Sequence, residues 1–223
     1  MIELVQAFDV NGHLIPGFNQ SDNSNALVIT GPAVIAVPAG ATKMKIRSTA
    51  AIWFKWAEVN AVVNGTFAAD TDWTKGTGWT ISSEVASTDA SQVGDSDLTQ
   101  ALGVQNENWW VQFVVSAYVA GNVTPVIGTQ EGTDRAANGT FAEIITVGAG
   151  TDLDIRADVD GDLSVDSVVA RKLVDVPSAS VVDGSTGDLI DQYSGDIIIP
   201  IENATQDLLS VDGTATICVS FYS

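Results

Sequence analysis

No long stretch of this chain keeps apolar side chains at the three- and four-residue spacing that an amphipathic helix needs. It carries instead short β-branched and aromatic runs, cut by Gly, Asn, Asp and Pro about every 8–12 residues. That is the rhythm of an all-β sandwich. Strands are predicted over 26–30, 33–37, 44–47 and 51–55, then over 80–82, 109–119, 123–127, 141–147, 152–156 and 167–173. The last part predicts 178–182, 196–201 and 214–222. Pro32, Pro38 and Gly40 punctuate the first set, because proline cannot donate to a ladder and glycine permits turns.

The texture changes twice along the chain. Four of the six tryptophans, Trp73, Trp79, Trp109 and Trp110, fall within residues 59–173, and Asn64-Gly65-Thr66-Phe67 recurs there as Asn138-Gly139-Thr140-Phe141. The flanking parts are poorer in aromatics and proline-punctuated. The reading is two β-sandwich domains, with 60–173 inserted into an outer domain built from 26–59 and 174–223. Neither outer part alone has enough strands to bury two sheet faces, so the two must pair with each other. Residues 1–25 form a polar arm with scattered apolar points (Leu4, Val5, Phe8, Leu14, Ile15, Phe18), either loose or laid on a neighbouring subunit.

Charge and residue types exclude several functions. A net charge of −19 repels phosphate backbones and anionic lipid, so neither nucleic acid nor membrane is an expected partner. Residues 1–10 carry Glu3 and Asp9 and lack the basic start and apolar core of a signal peptide, and no run is long enough for a transmembrane helix. The one cysteine, Cys218, cannot form an internal disulfide and reads as a small core residue in the alternating run 215–221. His13, the one histidine, lies in the polar arm, where it cannot be held as a catalytic base. A non-enzymatic protein is expected.

Three groups of residues are candidates for binding. In the run 109–118, strand alternation places Trp109, Val111, Phe113, Val115 and Ala117 on a core face. The opposite face carries Trp110, Gln112, Val114, Ser116 and Tyr118. A platform of Trp110 and Tyr118 with Gln112 between them suits a sugar ring; the same aromatics suit burial under a loop. Lys43, Lys45, Arg47 and Lys55 are four of the nine basic residues, within thirteen positions of an acidic chain. They form either a docking face for an acidic partner or a solvated strand face. Asp158-Val159-Asp160-Gly161-Asp162 alternates carboxylates as a calcium loop does, but Leu163 and Val169 stand where a helical calcium loop starting at Asp158 needs glycine and glutamate. The alternatives are a solvated acidic turn or a different calcium site.

At these residues the middle block resembles a known family. Asn64-Gly65-Thr66-Phe67, then Trp73-Thr74-Lys75-Gly76-Thr77-Gly78-Trp79-Thr80-Ile81, the long strand through 109–121, and Gly161-Asp162-Leu163-Ser164-Val165-Asp166-Ser167-Val168 together resemble jelly-roll domains of the carbohydrate-binding-module type. The resemblance covers about half the chain and implies a jelly roll. It also implies a structural calcium held by a carboxylate after the Phe and by the closing aspartate. Here that aspartate is Asp166, and because Ala68 follows Phe67, Asp70 or Asp72 would complete the site.

The outer parts are similar to small β-sandwich virion proteins of tailed phages, through Val37-Pro38-Ala39-Gly40-Ala41-Thr42, Ile52-Trp53-Phe54-Lys55-Trp56 and the closing strand ending in Phe221. That resemblance implies a capsid decoration (head auxiliary) protein on the virion surface, made in the host cytoplasm, with the phage major capsid protein as partner. The alternative is a glycan-binding adhesion module of a phage tail or cell surface, whose partner is a host-surface polysaccharide. The apolar runs 52–56 and 197–201 need cover on a lone outer domain, which together with the symmetry of a capsid lattice predicts a homotrimer.

Overall fold

A computed structural model of the chain describes residues 25–29, 33–102, 108–174, 188–190, 197–201, 207–212 and 215–222. Among these, every regular element is a strand. The chain divides into two compact units, one comprising Met1–Trp56 with Asp175–Ser223 and the other Ala57–Val174. Residues 1–24 of the arm, with His13, and the expected strand at 178–182 lie outside the described residues; Asn25, the last residue of the arm, opens a strand.

The first unit is all-β. Its N-terminal strands are β1 (Asn25–Ile29), β2 (Ala33–Ile35), β3 (Lys43–Ser48) and β4 (Ile52–Ala57). The second unit supplies β5 (Thr74–Lys75), β6 (Thr80–Ser82), β7 (Val85–Asp89), β8 (Ser96–Ala101), β9 (Asn108–Ala120), β10 (Val123–Ile127), β11 (Gln130–Glu131), β12 (Gly139–Thr146), β13 (Asp152–Ala157) and β14 (Asp162–Val174). The chain then returns to the first unit with β15 (Asp188–Ile190), β16 (Ile197–Pro200), β17 (Asp207–Asp212) and β18 (Ala215–Tyr222).

In the first unit one sheet runs β1-β18-β3-β16, while β4 bonds β15 and β17, and β17 bonds β2. Each of these pairs joins a strand from the N-terminal part to one from the C-terminal part. Among the described residues, neither part pairs its strands with one another; every pairing within the unit crosses between the two. Across β3 and β18, Met44 faces Phe221 and Ile46 faces Val219, and all four are buried. Alternation therefore turns Cys218, paired with Arg47, outward. It is exposed, which corrects the expectation of a core cysteine. The apolar run of β4 needs no second copy to cover it: Ile52, Phe54, Lys55 and Trp56 are buried within one chain and Trp53 half-buried. That removes the part of the trimer expectation that rested on residues 52–56. The side chains of 197–200, in the other run, are not among those described.

The second unit is a sandwich of two antiparallel sheets. One contains β7, β14, β9 and β12 in that order, extended by β6; the other runs β11-β10-β13-β8-β5. From β7 to β14 the chain alternates between the sheets, apart from the β10–β11 hairpin. This is the connectivity of a jelly roll. Between the sheets lie Leu98, Trp109, Val111, Phe113, Val115, Leu153, Ile155, Leu163 and Val165, with Phe67, Trp73 and Trp79 closing the core from the connecting segments. β14 shifts register between Val165 and Ser167, so its inward residues run 163, 165, then 168, 170 and 173.

The two ends of this unit are bound to each other. Glu58 N–H donates to Lys172 O (2.9 Å), Ala61 N–H to Ala170 O (2.9 Å) and Val168 N–H to Gly65 O (2.8 Å). Asn60 Oδ1 accepts from Ala170 N–H (3.0 Å). A Cβ on Gly65 would lie 2.2 Å from Val168 O, so only glycine permits this approach.

The repeated tetrapeptide is not a structural repeat. In the first copy Asn64 and Phe67 adopt φ of 51° and 54°, and Asn64 Nδ2 donates to Ala69 O (2.7 Å) and Thr71 O (3.0 Å), closing a loop. Phe67 packs on Trp73 with centroids 5.5 Å apart. The second copy starts β12, and its Phe141 packs on Phe113 at 5.8 Å under Arg135.

Gly65→Ala is expected to cost about 2–3 kcal/mol, since the overpacked atom is a backbone carbonyl of a paired strand. In a thermal melt followed by tryptophan fluorescence, this unit should unfold roughly 10 °C lower. An unchanged melt would show that the approach is not required.

Candidate functional surfaces

The long strand β9 carries Trp110, Gln112 and Tyr118, but it does not present them as a platform. Trp110 is only 4% exposed, and Trp73, Trp79 and Trp109 are buried as well. Two of these indoles hold backbone: Trp73 Nε1 donates to Asn64 O (3.2 Å) and Trp79 Nε1 to Ser96 O (3.0 Å). Near the end of β9 the ladder to β14 slips, and Ala117 takes a left-handed φ of 47°. This kink exposes Ala117, expected in the core, and lets Tyr118 pack against the core instead. The open stacking face expected from alternation is therefore not formed.

The aspartates expected to hold calcium are each engaged separately. Asp166 lies at the register shift of β14, where its Oδ1 accepts from Ser116 Oγ (2.5 Å). Asp70 is paired with Lys75, and Asp72 Oδ2 accepts from Thr71 Oγ1 (2.6 Å). Among the described residues no three His, Cys, Asp or Glu side chains gather as metal ligands, so the expected site at Asp166, Asp70 and Asp72 is not assembled. The acidic run 158–162 is a turn between β13 and β14, with Gly161 N–H donating to Asp158 O (3.0 Å). Buried Gln92 clamps it, Nε2 donating to Asp158 O (2.9 Å) and Gly161 O (2.8 Å).

The basic cluster is split by strand geometry. Lys43, Lys45 and Arg47 alternate with buried Met44, Ile46 and Ser48, so three cations share the outer face of β3. Lys45 is half-buried there, and its two neighbours are exposed. Lys55 is only 5% exposed on β4 and does not belong to that face. The expected four-residue docking face thus reduces to three.

Sequence reading missed the polar outer face of the β11-β10-β13-β8-β5 sheet. Register places Thr124, Arg156 and Asp97 in one cross-strand row, and Asp154 beside Thr99 in the next. Arg156 is the organiser: Nε donates to Asp97 Oδ1 (2.8 Å) and a terminal nitrogen to Glu131 Oε1 (2.6 Å), tying β13 to β8 and β11. Its hydrogen bond to Asp97 raises its pKa further. Thr99 Oγ1 donates to Asp154 Oδ1 (2.5 Å) and Thr124 Oγ1 to Asp134 Oδ1 (2.6 Å). A groove of about 440 Å³ runs past Lys75, Thr77, Asp95 and Asp97, and a cleft of about 190 Å³ lies between Asn122, Glu131, Asp134 and Asp158. Hydroxyls, carboxylates and one guanidinium can hydrogen-bond a polar ligand. No aromatic side chain lines either hollow. The available signal was the alternation of Asp152, Asp154 and Arg156 along β13.

Comparison with known protein families, curated proteins and solved structures finds no match.

Burial raises the pKa of Asp154, an effect opposed by the Thr99 hydroxyl and reinforced by Asp97 and Asp152. A carboxyl raised in the folded state favours folding below its unfolded pKa, near 3.8, and that contribution is lost as pH rises through the folded value. Asp154→Asn keeps an acceptor for Thr99 without the desolvated charge. It should melt above the wild type at neutral pH, with the gap closing in acid. A gap of the same size at both pH values would contradict this.

Proposed function

We propose that this chain is a non-enzymatic structural protein of a tailed-phage virion, a capsid decoration protein. Its outer unit docks on the major capsid protein, and its jelly-roll unit, residues 57–174, is displayed. The observation that carries this reading is the row Lys43, Lys45 and Arg47 on the outer face of β3, in a chain of net charge −19. Cations gathered on one strand of so acidic a protein favour an acidic partner surface. Because capsid sites are symmetric, the expected assembly is a closed ring, a homotrimer.

The test uses particles stripped of this protein and titrated with purified chain. Lys43→Glu, Lys45→Glu and Arg47→Glu together should lower capsid occupancy at least tenfold, about 1.4 kcal/mol, with circular dichroism and melting unchanged. Wild-type occupancy by the folded triple variant would remove the reading. Lys55 is left intact because it is buried.

A second reading, glycan binding by the displayed unit, draws on the hydroxyl- and carboxylate-lined hollows beside Arg156 rather than on the tryptophans. On a polysaccharide array it expects signal lost on Asp97→Ala and kept on Gln112→Ala. An array without signal would dispose of it.

A further inference from the structure

The repeated Asn-Gly-Thr-Phe tetrapeptide places one reactive pair in two different settings. In an Asn-Gly pair the glycine amide nitrogen can attack the asparagine Cγ. The new N–Cγ bond forms, the Cγ–Nδ2 bond breaks, and ammonia leaves, taking up the proton lost from the glycine amide. Water then opens the succinimide at either carbonyl, leaving aspartate or isoaspartate. No oxidant or cofactor is required. The same three residues follow both asparagines, so a difference in rate between the two sites reports mainly on the fold.

Asn64 is held against this reaction. Its Nδ2 donates to Ala69 O and Thr71 O, and its Oδ1 accepts from Ala69 N–H at 3.4 Å. Loss of Nδ2 would break the two bonds that close the loop. The neighbouring glycine is also fixed, because Gly65 O accepts from Val168 N–H and the residue packs against β14 without room for a methyl group. The Trp73 indole holds the Asn64 carbonyl as well.

Asn138 is exposed on the loop before β12. Its side chain makes one hydrogen bond among the described residues, Oδ1 accepting from Tyr118 N–H at 2.8 Å, and none through Nδ2. The leaving group is therefore unrestrained. The donor on Oδ1 polarises the Cγ carbonyl and favours the oxyanion formed when Gly139 attacks. The kink at Ala117, φ 47°, precedes the residue whose N–H makes this contact. We propose that Asn138 is a site of spontaneous deamidation in the folded protein and that Asn64, in the same tetrapeptide, is protected. The product adds a negative charge to an already acidic chain. In its isoaspartyl form it lengthens the main chain by a methylene immediately before the pairing of Gly139 with Val115.

The experiment is peptide mapping by mass spectrometry of the full chain held at mildly alkaline pH, with a parallel sample in denaturant. The third Asn-Gly, Asn11-Gly12, lies outside the described residues and is followed as its own peptide. In the folded protein the Asn138 peptide should convert at least about tenfold faster than the Asn64 peptide, since only Asn64 must break two hydrogen bonds. In denaturant the two rates should converge. Equal folded-state rates, a faster Asn64, or no conversion of Asn138 while the denatured chain converts both would each overturn the proposal.

Discussion

The close passage of Gly65 against Val168 fixes how the second unit begins and ends. A sandwich carried between two parts of another fold must bring its own first and last residues together. Here residues 58–65 lie against 168–172, with backbone bonds at Glu58, Ala61 and Val168 and one through the Asn60 side chain. These bonds tie the entry segment to the exit strand, although it is not itself a regular strand. The same loop then turns on Asn64 and seats Phe67 and Trp73 in the core. Entry, exit and core are thereby one construction.

Polar side chains at inward positions do much of the remaining work. Gln100 is buried on β8, where its Oε1 accepts from Val63 N–H (2.8 Å) and its Nε2 donates to Val63 O (2.9 Å) and Asp72 O (3.0 Å). Ser96 Oγ donates to Thr77 O (2.7 Å), and Gln92 holds the turn at Asp158 and Gly161. Each of these side chains supplies to a connecting segment the partners that a neighbouring strand would otherwise provide. Buried polar groups are tolerable when bonded in this way, and each one fixes a loop relative to the sandwich.

That use of polar residues explains what sequence alone could and could not reveal. β9 and β13 were legible because Trp109, Val111, Phe113 and Val115, and Leu153 and Ile155, recur at every second position; β10 was legible from Val123, Val126 and Ile127. β7 and β8 were missed because Ala86, Thr88, Ser96 and Gln100 occupy inward positions and mimic a loop. The change in tryptophan content placed the insert at 60–173, and the contacts divide the chain after Trp56 and Val174. The candidate sites were less legible. Alternation alone could not anticipate the kink at Ala117 that turns Tyr118 inward, nor the burial of Lys55 on a strand whose inward and outward residues are both covered. The row of Thr124, Arg156 and Asp97 depends on register between strands far apart in sequence, which no local pattern encodes.

The most direct measurement is the thermal unfolding of residues 57–174 expressed alone. A sandwich whose ends are bound to each other and whose core lies within its own strands should melt in one cooperative transition. Trp73, Trp79, Trp109 and Trp110 should fluoresce as buried indoles before that transition. A fragment that is unfolded, or that melts without cooperativity while the full chain shows a sharp transition for the same tryptophans, would contradict a self-closed unit.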